Sequence, residues 1–193
     1  MRISIETAEF DAPLYLDSGR LLETFRLIYE TYGELNEDKS NVVLICHAFS
    51  GSHHAAGRYM PTDKAGWWDA LVGEGKAVDV KKHFVVCINV IGSCYGSTGP
   101  KSKNPKTDKP YGFKFPVITI RDMVRAQKAL LSKLGIERVK AILGGSMGGM
   151  QALSFAVEYP EFAEIVIPMA ATHASSPWVV TIVGFDIVKM PQP

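Results

Sequence analysis

The stretch "GGSMGGMQAL", residues Gly144 to Leu153, places one serine among four glycines directly after the apolar run "VKAIL". Gly144, Ser146 and Gly148 match the pattern G-x-S-x-G, which is typical of a sharp turn from a strand into a helix. At such a turn the serine has a strained backbone, and its hydroxyl stands clear of the sheet. A Cβ at the flanking positions would collide with the neighbouring strand and helix, which favours glycine there. The pattern therefore predicts that Ser146 is a nucleophile.

Backbone N–H groups near Ser146 are predicted to stabilise negative charge. The helix after the serine directs its N-terminus, with free N–H groups, at the hydroxyl. The N–H of Met147 is therefore one candidate donor to an oxyanion. The second donor is expected in the loop after an earlier strand. Because "HAFSG" (47–51) follows the strand-like run "NVVLIC", the N–H of Phe49 is the candidate.

The sequence also allows other interpretations of these residues. A glycine-rich turn can hold a serine N-cap or cradle a phosphate, although a phosphate loop would need a lysine after its glycines, and none is present. His47 and Phe49 can simply pack within their loop. The apolar strand before Ser146 and the amphipathic helix after it favour the nucleophile interpretation.

Apolar runs and helical spacing predict an α/β fold. Four continuous runs indicate strands covered on both faces, as in a parallel sheet: "NVVLIC", "HFVVCINVIG", "RVKAILGG" and "AEIVIPMA". One helix is predicted from Thr119, with Asp122 completing a capping box and Gly135 ending it, and another from about Met147 to Tyr159. The alternating runs "RISIET" and "LETFRLIYETYG" predict an N-terminal antiparallel hairpin, with "LDSGR" as its turn, at the edge of a mainly parallel sheet.

The composition is that of an ordinary soluble globular protein. The chain has 193 residues, 47% of them apolar and 21% charged, with a formal net charge of +1, so no nucleic-acid or membrane partner is expected. Cys46, Cys87 and Cys94 are an odd number without a pairing pattern, which argues against disulfides and favours a cytoplasmic setting. The N-terminus lacks the apolar core of a signal peptide, and no run of about 18 apolar residues appears.

Several blocks, taken in order, resemble the homoserine O-acetyltransferases, a family of the α/β-hydrolase superfamily. The blocks are "YETYGELN" (29–36), "HAFSGSHHAAG" (47–57), "GWWDALVGEGKAVD" (66–79), "CINVIGSCYGSTGP" (87–100), "FPVITIRDMVRAQKALLSKLGI" (115–136) and "GGSMGGMQAL" (144–153). Together they cover roughly residues 25 to 171, and their combination is far more specific than the serine turn alone. The resemblance implies the α/β-hydrolase fold.

The resemblance also implies a reaction. Family members transfer an acetyl group, or in some cases a succinyl group, from acyl-CoA to the hydroxyl of L-homoserine, an early step of methionine synthesis. Ser146 would attack the thioester and become acetylated, and homoserine would then take the acyl group. Acetyl-CoA is thus expected as a co-substrate, with no permanently bound cofactor and no metal. A serine esterase or thioesterase on the same scaffold is the alternative, because it would use the same turn and donors.

The residues that would complete a catalytic triad are not found in the expected order. In this fold an Asp or Glu, and then a His, follow the serine along the chain. The only histidine after Ser146 is His173, which is expected to be an ordinary loop residue. The carboxylates between them are Glu158, Glu161 and Glu164. Family members continue well beyond this point, so the chain is expected to be a single partial domain (1–193) that lacks the C-terminal strands, the lid, and the triad Asp and His.

Residues 172–193 are expected to form an atypical tail. The sequence departs from the family after about Ser175, and "PWVVTIVGF" (177–185) is typical of an apolar strand without an obvious partner. We therefore expect weak or absent transferase activity for this chain alone, with a non-catalytic fragment as a further alternative. Exposed apolar sheet surface would favour self-association into a homo-oligomer.

Three other features are interpreted as structural. His53 and His54 could suggest a metal, but adjacent side chains in an extended loop point apart, and no carboxylate or cysteine cluster accompanies them. Scattered loop lysines could meet the phosphates of CoA but are usually just solvated; they are Lys101, Lys103, Lys106 and Lys109. Trp67 and Trp68 are expected to open a helix and to pack rather than to contact a ligand.

Overall fold

Six strands form the central sheet of the computed structural model, which describes residues 1–60 and 62–174. The strands are β1 (Ile3–Phe10), β2 (Phe25–Tyr32), β3 (Val42–Cys46), β4 (Phe84–Ile88), β5 (Val139–Gly145) and β6 (Ala163–Met169). Their order across the sheet is β1-β2-β4-β3-β5-β6. The pairs β4–β3, β3–β5 and β5–β6 are parallel, whereas the pairs β1–β2 and β2–β4 are antiparallel. The predicted mainly parallel sheet with an antiparallel N-terminal edge is confirmed.

The burial of each strand follows from its place in the sheet. All five residues of β3, which lies between β4 and β5, are buried, as its continuous apolar run predicts. β1 lies at the edge, pairs with β2 over its whole length, and is mostly exposed. Within the predicted hairpin, the turn "LDSGR" closes a small ribbon of Leu14–Tyr15 with Leu21–Leu22.

Two α-helices lie between the later strands. α1 (Ile120–Lys133) begins at Thr119, whose side chain accepts from the N–H of Asp122 while the Asp122 carboxylate accepts from the N–H of Thr119, so the predicted capping box forms. Gly135, just past its end, has a φ of +70°, which glycine adopts without steric penalty. α2 (Met147–Glu158) starts directly after β5, as predicted.

The two faces of the sheet are covered differently. On one face, Phe25, Leu27 and Tyr29 of β2 pack in a cluster with Leu130 of α1 and Phe155 of α2. The segment between β3 and β4 covers the other face. The buried residues there include Tyr32, Val43, Ile45, Val85, Ala55, Ala56, Val72 and Val78. One face is thus helical and the other is covered by turns and short ribbons.

The segment between β3 and β4 corrects one prediction. It contains ribbons of Arg58–Tyr59 with Lys64–Ala65 and of Val72–Gly73 with Val78–Asp79. The helix predicted to open at Trp67 and Trp68 is wrong, because the chain there makes successive turns that lead directly into the second ribbon. Both tryptophans do pack, as expected, against the core of this face. A short 3₁₀ helix, Gly112–Lys114, precedes α1.

The atypical tail lies almost wholly beyond what the structure describes. The strand predicted at 177–185 falls outside the described residues, so that prediction stays open. No helix in residues 1–60 and 62–174 is both long enough and apolar enough to cross a membrane.

Candidate active site

Ser146 lies at the junction of β5 and α2 in a conformation that non-glycine residues rarely adopt. Its φ is +54° and its ψ is −123°, and the residue is exposed. Its N–H donates to the carbonyl of Met169 at 3.0 Å, and its own carbonyl accepts from the N–H of Met150 at 3.0 Å. Such a conformation costs about 1–3 kcal/mol and persists only where the surrounding structure enforces it. The predicted strained turn is therefore present, while the role of Ser146 as nucleophile stays a prediction.

Steric contacts explain the glycines on either side of Ser146. A Cβ on Gly144 would collide with the carbonyl of Gly148, and a Cβ on Gly148 would collide with the carbonyl of Cys46. A Cβ on Gly145 would come only within 3.8 Å of the Trp68 ring, which is ordinary contact. Glycine is thus required at two positions because α2 starts against the backbones of β5 and β3.

The two predicted donors, Phe49 and Met147, both have free N–H groups. Within the described part of the chain, neither N–H donates a hydrogen bond. Both residues border one cleft of about 260 Å³, whose other walls are mainly apolar and include Val90, Ile91 and Ile118. Phe49 and Met147 therefore lie at one cleft although they come from separate parts of the sequence, and their role as oxyanion donors stays a prediction.

His47 is buried, and both of its ring nitrogens are engaged. Nδ1–H donates to the carbonyl of Ala48 at 2.8 Å, and Nε2 accepts from the N–H of Val90 at 3.1 Å. Burial lowers the pKa of His47, although the hydrogen bond to Ala48 acts in the opposite direction. The neutral ring therefore ties the loop after β3 to the segment after β4. The packing interpretation holds for His47, whereas Phe49 contributes a free amide.

The described part of the chain shows no base at Ser146. Among the described residues, no side chain is hydrogen-bonded to the hydroxyl of Ser146. His173 is exposed and lines a different cleft, with Arg121, Val157 and Glu158 on the outer side of the helices. It is thus a loop histidine, as expected.

The carboxylates that follow Ser146 are occupied or exposed. Glu158 pairs with Arg121 and with Arg125, the latter at 3.3 Å. Glu164 pairs with Lys140 at 2.7 Å, and Glu161 is exposed. Among the described residues none of these carboxylates pairs with a histidine, so no complete triad around Ser146 is found there.

A buried polar cluster lies beneath the loop that follows β3. Glu30 is 1% exposed and accepts from the hydroxyl of Tyr32 and from Nδ1 of His54. Burial raises the pKa of the Glu30 carboxyl against the effect of these hydrogen bonds. The Tyr32 hydroxyl accepts from the N–H groups of Ala55 and Ala56 at 2.7 and 3.1 Å. The cluster anchors this loop to β2; sequence reasoning missed it, because a glutamate in an alternating strand is expected to face water.

Two of the features interpreted as structural are the adjacent histidines and the basic loop. Burial lowers the pKa of His53 to about 4, and the neighbouring His54 and His47 add to this effect. In the described ranges, no group of three or more His, Cys, Asp or Glu side chains is arranged to hold a metal ion. In the basic loop, Lys103 pairs with Asp108 at 2.6 Å and Lys106 with Glu23 at 2.8 Å.

Two buried glutamines near the serine turn were also missed. Gln127 of α1 and Gln151 of α2 are 1% and 0% exposed and hydrogen-bond to each other. One indication of this pair was present in the sequence: Gln127 is a polar residue on the otherwise apolar face of α1. A glutamine at such a position needs a buried partner, but the sequence does not say which residue supplies it.

The sheet order and the strained serine turn indicate one class of protein, and comparison with known proteins finds the same class. A family model described as the alpha/beta hydrolase fold matches residues 41–185. The chain belongs to the α/β-hydrolase family, as its sequence blocks predicted.

Within this family the chain is similar to homoserine O-acetyltransferases, which confirms the resemblance. The homoserine O-acetyltransferase of Nautilia profundicola is 60% identical over 183 residues, which are 94% of this chain and 50% of that protein. The crystal structure of homoserine O-acetyltransferase from Bacillus anthracis has a TM-score of 0.80 at 41% identity, covering 86% of this chain and 46% of that one.

An esterase is also similar in structure. The crystal structure of esterase E22 has a TM-score of 0.88 at 40% identity, and the match covers 95% of this chain and 52% of that one. The chain spans about half the length of the curated relatives it matches.

Proposed function

We propose that this chain carries the nucleophile part of an acyltransferase that moves an acetyl group from acetyl-CoA to the hydroxyl of L-homoserine. The observation that carries the proposal is an exposed serine at φ +54° at the start of α2, with two free N–H groups at the adjoining cleft. The similarity to homoserine O-acetyltransferases supports the choice of donor and acceptor. Acetyl-CoA would enter and leave as a co-substrate.

The reaction divides into two acyl transfers. Oγ of Ser146 attacks the thioester carbonyl, gives its proton to a base, and the resulting oxyanion accepts from the N–H groups of Phe49 and Met147. The intermediate collapses to acetyl-Ser146 and expels the CoA thiolate, which takes up a proton. The homoserine hydroxyl then loses its proton to the base and attacks the acetyl-serine. Ser146 is released and takes back a proton, leaving O-acetylhomoserine.

We infer that the 193-residue chain alone performs this reaction slowly or not at all. The described residues place neither a histidine nor a carboxylate at the Ser146 hydroxyl, so we take hydroxide as the proton acceptor. Oxyanion donors and binding alone retain about 10³- to 10⁴-fold catalysis over water in serine hydrolases that lack a triad member. Slow acylation that becomes faster as the pH rises is therefore expected.

Ester hydrolysis is the second candidate, and the similarity to esterase E22 favours it specifically. Both reactions share the acetyl-serine, and they differ in whether homoserine or water removes the acyl group. An apolar cleft beside the donors is compatible with either acceptor. The two candidates are separated by the fate of the acyl-enzyme.

The test measures thiol release from acetyl-CoA with and without L-homoserine, using Ser146→Ala as the control. We expect slow release that increases with homoserine and is lost in Ser146→Ala. Release that is independent of homoserine favours the esterase. Turnover at the rate of an ordinary enzyme, lost in Ser146→Ala, would show that these residues do contain a base. No release and no acetyl adduct favours a non-catalytic fragment.

We also propose that the chain acts in the cytoplasm and self-associates. Cys46 and Cys87 are buried free thiols and Cys94 is an exposed free thiol, which suits a reducing compartment. Formation of disulfide-linked species in non-reducing lysates of the native host would contradict the cytoplasmic location.

A further inference from the structure

Three hydrogen bonds run in series through the core and connect both helices with the end of β3. The thiol of Cys46 donates to Oε1 of Gln127 at 3.6 Å, and Nε2 of Gln127 donates to Oε1 of Gln151 at 2.6 Å. Nε2 of Gln151 then donates to the carbonyl oxygen of His47 at 3.2 Å. We call these four residues the glutamine bridge. It begins at Cys46 and returns to the next residue, so both of its ends lie where β3 stops.

Burial fixes the direction of every hydrogen bond in the glutamine bridge. Cys46, Gln127 and Gln151 are at most 1% exposed. Burial raises the pKa of the Cys46 thiol, which therefore stays protonated and can donate to Gln127. Reversing Gln127 would place two carboxamide oxygens against each other. Reversing Gln151 would place two NH2 groups against each other and its oxygen against the His47 carbonyl, and unpaired buried polar groups are costly. The Gln151 amide is thus held in one orientation.

The glutamine bridge connects the two segments that carry the free N–H groups. Gln151 lies one turn after Met147 in α2, and its Nε2 is also 3.2 Å from the Met147 carbonyl. Its other acceptor, the carbonyl of His47, lies two residues before Phe49. A single carboxamide therefore contacts the backbone of both donor segments. Stability alone does not require this arrangement, because apolar side chains of the same shape can replace a buried pair of polar groups at little cost.

We propose that Gln151, oriented by Gln127, is a positioning residue that sets the spacing between the N–H groups of Phe49 and Met147. The inference rests on the proposed function, because that spacing matters only if the two groups receive an oxyanion. Donors must lie about 2.7–3.1 Å from the developing charge. A displacement of about 1 Å in such a site can reduce the rate about 10²-fold.

The first test observes the two amides directly. In the ¹⁵N-labelled chain, the amide resonances of Phe49 and Met147 should both shift in Gln151→Met, and shift less in Gln127→Met, while the resonances of β1 stay in place. Leu131→Met is the matched control, because it makes a similar swap in the α1 core and leaves in place the three side chains and the His47 carbonyl that form the hydrogen bonds of the glutamine bridge. Unchanged Phe49 and Met147 resonances in both glutamine variants would overturn the proposal.

The second test measures the rate at which p-nitrophenyl acetate acetylates Ser146. Gln151→Met should reduce this rate about 10²-fold with little change in the half-saturating ester concentration, whereas Leu131→Met should not. Equal rates in Gln151→Met and wild type would overturn the proposal. If the wild type is not acetylated at all, the proposed function fails, and the amide resonances still decide whether the glutamine bridge sets the spacing.

A third variant separates positioning from a general loss of stability. In Gln151→Glu, the protonated carboxyl can donate to the His47 carbonyl, whereas the ionised carboxylate can only accept and repels it. The ratio of the Gln151→Glu rate to the wild-type rate should therefore rise as the pH falls, measured where both proteins remain folded. A ratio that does not change with pH would contradict the assigned hydrogen bond.

Discussion

At the residue scale, Gly148 controls how closely α2 approaches β3. A methyl group there would strike the carbonyl of Cys46, and overpacking of this kind typically costs about 1–3 kcal/mol. Gly148→Ala should therefore lower the free energy of unfolding by about that amount and slow Ser146 acetylation. Urea denaturation measures the first effect. Gly145→Ala, in the same turn but with only an ordinary contact to the Trp68 ring at its Cβ, should change stability much less; equal losses in the two variants would contradict the packing argument.

His53 should make the chain sensitive to acid. Its pKa is about 4 in the folded chain, lowered by burial and then by His54 and His47, against an ordinary value of about 6.5. The unfolded state therefore binds more protons between about pH 6.5 and pH 4. The stability that neutral His53 contributes is present above about pH 6.5 and is lost as the pH falls towards 4. The urea midpoint should thus fall more between pH 7 and pH 5 in the wild type than in His53→Gln.

The comparison with His53→Gln is needed because Glu30 titrates with the opposite sign. Its pKa is raised in the folded chain, so its contribution is greatest at low pH and is lost as the pH rises through the raised value. Glu30 is present in both proteins, and its effect cancels in the difference. Parallel pH profiles for wild type and His53→Gln would show that His53 is not buried in its neutral form.

At the scale of elements, Thr119 sets the start of α1. Its side chain accepts from the N–H of Asp122 at 3.2 Å, and the Asp122 carboxylate accepts from the N–H of Thr119 at 2.9 Å. Loss of such a cap typically costs about 1 kcal/mol, so Thr119→Ala should lower the free energy of unfolding by that much. Ser132→Ala, at the exposed end of the helix, should cost less than about 0.5 kcal/mol. A cost for Thr119→Ala no larger than that for Ser132→Ala would show that the cap contributes nothing.

Elements with a local cause could be predicted from the sequence. β3 is a continuous apolar run, α1 has its own cap at Thr119 and its own stop at Gly135, and the turn at Ser146 follows from glycine spacing. The helix expected at Trp67 was wrong, because tertiary packing against the sheet holds that segment in turns. Sequence patterns therefore predict secondary structure well where the stabilising contacts join residues that are close together in the chain.

Long-range polar contacts in the candidate site could not be predicted. Gln127 meets Gln151, and Glu30 meets His54, only after the sheet and helices have assembled. No local spacing encodes either pair. Phe49 and Met147 could be put forward as donors because each follows a strand that could be recognised, and that role stays a prediction. The distance between the N–H groups of Phe49 and Met147 depends on side chains whose buried contacts could not be predicted from the sequence.

At the scale of the whole molecule, β6 exposes apolar surface. Ile165 and Ile167 are 49% and 40% exposed, and in the described ranges β6 pairs along one edge, with β5. An unpaired strand edge with apolar side chains favours association with another copy. Burying one such side chain contributes about 1.5–3 kcal/mol, so Ile165→Lys should weaken self-association roughly tenfold or more. Sedimentation equilibrium measures this change.

Val157→Lys is the control for the association test. Val157 is 81% exposed on α2, away from the β6 edge, and its replacement should leave association unchanged. A wild-type chain that stays monomeric at all concentrations and unfolds cooperatively at high temperature would contradict self-association.

If the backbone around Ser146 presents its hydroxyl as a nucleophile beside the amides of Phe49 and Met147, the serine should react with an activated ester. The most direct measurement is intact and peptide mass spectrometry after exposure to p-nitrophenyl acetate at rising pH. We expect one acetyl group, located on Ser146, which forms faster as the pH rises and persists because the described residues place no base beside it to activate water. An unmodified chain, or acetylation elsewhere at the same rate in Ser146→Ala, would contradict the claim.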